Sequence, residues 1–169
     1  FTNEIRFDAA EEFLYAVETC AMKITRFRVS EDASLLDRET FGPENHGAFI
    51  DGIAFDSYGN LWGTHVMTDR IFALTPEGDL RIILDDDNGS ETGMALMQAF
   101  AEDRVTPDLQ LACGGTIAKW MASITFGGQE LKTAYIGSLR GTRIPYFTAP
   151  VAVLPMVHWA EDKSTRNLR

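Results

Sequence analysis

The sequence predicts an all-β chain built from repeated small sheets, and three observations carry that expectation. A phrase of strand, turn, strand, turn, strand recurs along the chain. It reads Thr2 to Asp8, Phe13 to Thr19 and Lys23 to Phe27, then Ile50 to Asp56, Leu61 to His65 and Arg70 to Leu74, then Ala122 to Gly127, Thr133 to Ser138 and Arg143 to Phe147. The strand segments are rich in β-branched and aromatic residues, which suit a pleated surface. The joints between them, such as Ser57-Tyr58-Gly59-Asn60 and Pro76-Glu77-Gly78-Asp79, carry the Gly, Pro, Asn and Asp that tight hairpin turns require.

In chain order, the first unit covers about 1–41. Ile5 to Phe7, Phe13 to Glu18 and Lys23 to Val29 are strands, and Leu35 to Phe41 is an outer fourth. Phe13-Leu14-Tyr15-Ala16-Val17 is apolar at consecutive positions, the pattern of a sheet covered on both faces. Gly42-Pro43-Glu44-Asn45-His46-Gly47 is a loop. The second unit covers about 48–88, with strands at Gly52 to Asp56, Leu61 to Val66, Arg70 to Thr75 and Leu80 to Leu84. The acidic run Asp85-Asp86-Asp87-Asn88-Gly89 lacks the alternating spacing and closing Glu of a calcium loop, and reads as a solvated loop. A helical insertion is expected over 90–106, capped by Ser90, with Met94, Met97, Phe100 and Ala101 on its packing face and Pro107 ending it. Gly114-Gly115 follows without the other features of a phosphate loop. The third unit covers about 121–155, which places all three units within 1–160, and 161–169 is a polar tail.

Composition narrows the partners. With 169 residues, 45% hydrophobic and 24% charged, the chain has the makings of one globular domain. A formal net charge of −10 argues against nucleic acid and against anionic membrane surfaces. No apolar run reaches the roughly 18 residues of a membrane span, and no secretory signal is visible. Cys20 and Cys113 stand alone, without zinc spacing, and read as two buried thiols of a reducing, cytoplasmic compartment.

Repeated units of about 35 residues, in strands plus connecting loops, fit β-propeller blades. The residue at the head of each inner strand then lies near the mouth of a central channel. Here those positions are Asn3, Asp51 and Ala122. An amide and a carboxylate converging there offer the hard oxygens that suit Ca²⁺ or a similar divalent ion. The plainer reading has Asn3 and Asp51 capping strand ends through turn hydrogen bonds.

The residues Ile50-Asp51-Gly52-Ile53-Ala54-Phe55-Asp56 with Gly59-Asn60-Leu61-Trp62 resemble the senescence marker protein (regucalcin)/gluconolactonase family. So do Asn3-Glu4-Ile5 with Leu14-Tyr15, Phe126-Gly127-Gly128 with Ala134-Tyr135-Ile136-Gly137-Ser138-Leu139, and Pro150 through Pro155 to His158-Trp159. The resemblance implies a six-bladed propeller of roughly twice this length that hydrolyses lactones, or in some members organophosphate esters, with a divalent metal on its axis. It also implies metal ligands of one Glu, two Asn and one Asp, of which Asn3 matches the second Asn and Asp51 the Asp. The Glu and the first Asn belong to an amino-terminal half with no counterpart here. The expectation is therefore the carboxy-terminal half of a longer protein, or a chain that closes its ring with a second chain.

On that resemblance the substrate is a small-molecule lactone or sugar-acid ester. The ion is most readily Ca²⁺, with Zn²⁺, Mg²⁺ or Mn²⁺ as alternatives. Asp51 is the expected catalytic residue, orienting or deprotonating the attacking water. His65 at a strand end, His46 in the loop leading to Asp51, and Glu18 after Tyr15-Ala16-Val17 are expected to line the substrate. Each also has an ordinary reading, as a strand-end, packing or turn residue. Ser123 and Ser138 have no His-Asp arrangement for a serine triad. The alternative function is a non-catalytic propeller fragment that serves as a binding or interaction module.

Overall fold

The computed structural model describes residues 1–87 and 89–155. Three antiparallel sheets follow one another along the chain. The first contains β1 (Thr2–Phe7), β2 (Phe13–Glu18), β3 (Lys23–Val29) and β4 (Leu35–Phe41) in sequence order. The second contains β5 (Phe49–Phe55), β6 (Leu61–Val66), β7 (Arg70–Leu74) and β8 (Leu80–Asp85). The third contains β9 (Met121–Gly127), β10 (Thr133–Ser138) and the short β11 (Tyr146–Thr148). These are β-propeller blades, each a meander running outward from an inner strand. His158-Trp159 and the expected polar tail over 161–169 lie outside the described residues.

Blade 2 is covered on both faces, and every residue of β6 is buried. Toward blade 1 it presents Ile50, Ile53, Phe72 and Leu74, which meet Tyr15, Val17, Ile24 and Phe41. Toward blade 3 it presents Trp62, Ile71 and Ala73, which meet Met121, Ile124, Phe126 and Ile136. Each fully buried large side chain contributes about 1.5–3 kcal/mol. The apolar run Phe13 to Val17 predicts the same two-sided cover for blade 1, and there the structure differs. Blade 1 keeps one face open. Ile5 pairs with Ala16, Phe7 with Leu14 and Leu14 with Phe27, so these residues share the face turned away from blade 2. Ile5 is 51% and Phe7 47% exposed there.

Two helices stand between blades 2 and 3. Ser90 caps α1 (Glu91–Ala101), its hydroxyl accepting from Gly93 N–H at 2.9 Å. The buried face of α1 is Gly93, Leu96 and Ala99. Met94, expected on that face, is 61% exposed. Pro107 does not end a helix but begins one: α2 (Pro107–Ala112) carries it in the first turn, behind the Thr106 cap. A missing N–H costs nothing at that position.

The acidic run is not a solvated loop. Asp86 accepts from Thr116 N–H at 2.7 Å and Ile117 N–H at 2.6 Å, Asp87 accepts from the Ser90 hydroxyl at 2.7 Å, and Asp85 pairs with Arg70 at 3.0 Å. Asp69 is fully buried and takes Gly115, Trp120 and Met121 N–H at 2.7, 3.1 and 2.7 Å. Burial pushes its carboxyl above the ordinary range, against the three N–H groups that pull it down. These carboxylates fasten the far end of the insertion to blade 2.

Asp56 organises the turn after β5. At 1% exposure it accepts from Tyr58 N–H, Asn60 N–H, the Asn60 amide and the Trp62 indole N–H, the last at 2.9 Å. Asp56→Ala strands the indole N–H in the core between blades 2 and 3. It is expected to lower stability by about 2–4 kcal/mol in urea unfolding, with Asp56→Asn costing less than half as much.

Candidate functional site

The three inner strands share an irregularity at the positions the repeat sets in register. In β1 the pairing with β2 shifts between Thr2 and Ile5, in β5 the pairing with β6 shifts between Ile50 and Ile53, and in β9 the pairing with β10 shifts at Ala122. Each is a β-bulge, an extra residue that bends the strand and re-aims its side chains. Asn3 occupies the first and Asp51 the second. The bulges bring the two side chains together: Asn3 Nδ2 donates to Asp51 Oδ1 at 2.7 Å and to Thr19 Oγ1 at 3.1 Å.

The neighbours of both residues hold this meeting in place. Glu4 crosses from blade 1 to blade 2, its Oε2 accepting from Ile53 N–H at 2.7 Å, and Arg6 pairs with the same side chain. That N–H leaves the β5–β6 ladder at the bulge, and Glu4 satisfies it. Gly52 donates its N–H to Thr64 Oγ1 at 3.2 Å. A Cβ on Gly52 would lie 2.6 Å from Ser123 Cα and 2.8 Å from the Ala122 carbonyl oxygen, so only glycine lets blades 2 and 3 close here. Neither Glu4 nor Thr19 was singled out from the sequence. The available signal was that a residue beside a bulge shares its re-aimed face.

Burial raises the Asp51 carboxyl above its ordinary range, and the Asn3 hydrogen bond opposes that shift. Among the described residues no cationic side chain forms an ion pair with it. A half-buried carboxylate without a counter-charge, beside an amide and a hydroxyl, fits a hard divalent cation in donor type. Asn3, Asp51 and Thr19 could offer three of the six to eight oxygens such an ion takes. Among the described residues no group of three or more His, Cys, Asp and Glu side chains converges as a metal site. The Asn3 amide points its nitrogen at Asp51, and a turn about the soft terminal torsion would present its oxygen instead.

The other candidates lie elsewhere. Glu18 turns outward to the Thr25 hydroxyl and to Arg38 at 3.0 Å, and Thr25 first, then Arg38, holds its carboxyl below the usual range. His46 and His65 meet each other, Nδ1 to Nε2 at 3.2 Å, and both pack on Phe72. His65 is 1% exposed and pairs across the sheet with Ile50 and Arg70. Among the described residues neither imidazole hydrogen-bonds Asp51.

A meander of blades with an Asn–Asp pair on adjacent inner-strand bulges defines a propeller with a polar centre at one end of its channel. The chain belongs to the SMP-30/Gluconolactonase/LRE-like family, whose region matches residues 1–85. It is 24% identical over 144 residues to 6-deoxy-6-sulfogluconolactonase of Pseudomonas putida, covering 84% of this chain and 39% of that protein. Its fold is similar to the calcium-binding protein regucalcin of Agrobacterium tumefaciens (TM-score 0.58, 15% identity, 90% of this chain and 46% of that one). It is also similar to a gluconolactonase of Xanthomonas campestris (TM-score 0.57, 19% identity, 90% and 38%). The chain thus spans less than half the length of these relatives.

Burial depresses both imidazoles, His46 to about 4 and His65 to about 3, from an ordinary 6.5, with His46 and Arg70 adding to the effect on His65. The unfolded chain takes up protons as the pH falls below about 6.5, whereas the folded chain does so only near those lower values. The stabilisation is therefore complete above about pH 6.5 and is lost on acidification. It amounts to on the order of 2 kcal/mol per residue by pH 5. Urea unfolding at pH 5 and 7.5 should show this loss, and His46→Gln should shrink the difference between the two conditions.

Proposed function

We propose that this chain supplies part of the metal-holding centre of a lactone hydrolase. The observation that carries the reading is the meeting of Asn3 and Asp51 on equivalent bulges of adjacent blades. Family membership and the lactonase among its relatives support it. The substrate class is a sugar lactone or related ester. The ion is Ca²⁺ by donor hardness, with Mg²⁺, Mn²⁺ or Zn²⁺ as competitors.

Asn3, Asp51 and the Thr19 hydroxyl would hold the ion, together with donors from further blades. When bound, it would polarise the lactone carbonyl and lower the pKa of water. Asp51 orients the attacking water through its second carboxylate oxygen and accepts its proton. Asn3 fixes the rotamer of Asp51, and Glu4 fixes the strand beneath it. The insertion stands at the same end of the blades: Phe49, two residues before Asp51, packs edge-on against Phe100 of the α1 helix at 4.7 Å. From there it screens the mouth from water. The uncovered face of blade 1, with Ile5 and Phe7, is completed by further blades, from an amino-terminal half or a second chain. Both thiols are free, Cys113 buried as the sequence suggests and Cys20 exposed instead, and free thiols suit a cytoplasmic setting.

Two measurements test this reading. In calorimetric titration with Ca²⁺, Asp51→Ala should weaken binding about 10- to 100-fold and Asn3→Ala by a smaller factor; unchanged affinity in both variants would remove the metal assignment. In the ring-completed protein, Asp51→Ala should abolish hydrolysis of glucono-δ-lactone, and retained turnover would overturn the catalytic role.

A further inference from the structure

The charge of this chain is unevenly placed. Residues 1–112 carry eight Lys and Arg against 22 Asp and Glu, whereas residues 113–155 carry four against one. Three of those four cations, Lys119, Arg140 and Arg143, line one groove of about 510 Å³ with Thr116, Thr142 and Gly141, and no acidic side chain lines it. Among the described residues none of the three cations has a carboxylate within ion-pair distance. The carboxylate of Asp86, behind the groove, is engaged by the N–H groups of Thr116 and Ile117 and by the Thr116 hydroxyl.

The groove is formed by two loops joined to each other. The Ser138 hydroxyl and Arg140 N–H both donate to the Lys119 carbonyl. Arg140 is set in place before any ligand arrives: it donates to the Leu111 carbonyl at 2.6 Å and its guanidinium lies 5.0 Å over the Trp120 ring. A guanidinium held this way loses little freedom on binding an oxyanion. The groove also lies at the end of the blades that holds the Asn–Asp pair. Lys119 leads into β9, whose bulge at Ala122 abuts Gly52, the residue after Asp51. Lys119 lies two residues before β9, and the three residues of chain from it to that bulge reach at most about 11 Å.

We infer that this groove binds the anionic arm of the substrate, a sulfonate or phosphate carried by a sugar acid whose lactone end sits at Asp51. The inference rests on the lactonase reading for the identity of the sugar, while the anion site itself does not depend on turnover. Arg140 and Arg143 clasp the oxyanion by charge-assisted hydrogen bonds, Lys119 adds a point charge, and the Thr142 hydroxyl orients it. Specificity follows from position: a charge at the far end of the sugar acid reaches the groove, and an uncharged hydroxyl gains nothing from it.

The test is equilibrium binding of 6-phosphogluconate, gluconate and inorganic phosphate to the intact chain, followed by calorimetry or backbone amide shifts at two salt concentrations. The expected result is that 6-phosphogluconate binds roughly tenfold or more tightly than gluconate, the scale of one charge-assisted hydrogen bond. That margin should shrink at high salt and vanish in Arg143→Glu and Lys119→Ala, neither of which carries the packing contacts of Arg140. Equal binding of the two sugar acids would overturn the inference, as would a preference that survives both substitutions. Inorganic phosphate binding as tightly as 6-phosphogluconate would overturn the assignment to a substrate arm. Because products are used, a failure of lactone hydrolysis leaves this measurement readable, and a failure here leaves the Asp51 test untouched.

Discussion

The structure turns on a mismatch of one residue in each inner strand. A regular antiparallel ladder alternates its side chains strictly, so Asn3 and Asp51 would sit in fixed relation to their own sheets. The bulge breaks that alternation where the blades converge, and it leaves a backbone N–H without a ladder partner. In β5 that N–H is taken up by Glu4 of the preceding blade. One interaction thus satisfies a buried donor, fixes the angle between two sheets and holds Asp51 against Asn3. The glycine after Asp51 completes the arrangement by letting the third blade approach within backbone contact.

Much of the fold was legible in the sequence because its cues are local and repeated. Setting the phrase in register placed Asn3 and Asp51 at equivalent positions, and Ser90 announced the start of α1 by its side chain alone. The errors have equally local causes. Pro107 was read as a stop, although a proline without an N–H is as well suited to a first helical turn as to the residue after the last. Met94 and Ala101 fall near the helical spacing of Met97 and Phe100, but both are exposed, because the buried line of α1 runs through Gly93, Leu96 and Ala99.

The site was legible only in part, because its remaining partners are not periodic. Glu4 and Thr19 act across a bulge and a turn, and no spacing rule points from Asn3 to either. His65 stands at a strand end, where exposure is the ordinary expectation. It is buried because His46 and Phe72 pack on its ring, which is a fact of tertiary packing. The run Asp85-Asp86-Asp87 looks like solvent-exposed charge in one dimension. In three dimensions Asp86 and Asp87 neutralise backbone and hydroxyl donors at the base of the insertion.

The clasp formed by Asp69 and Asp86 has an architectural consequence. The chain leaves blade 2 at Asp86 and returns at Gly115 to Ile117, where those same two carboxylates receive it. Everything between, both helices included, is a closed excursion whose two ends are tied at one place. Between those ends the insertion meets blade 2 through one apolar cluster, in which Leu96 and Cys113 pack with Phe49 and Val66. The entropy of closing such a loop grows only with the logarithm of its size, so the clasp leaves the insertion free to lengthen or shorten while the sheets that carry the Asn–Asp pair stay as they are, provided the apolar cluster on Phe49 and Val66 is kept.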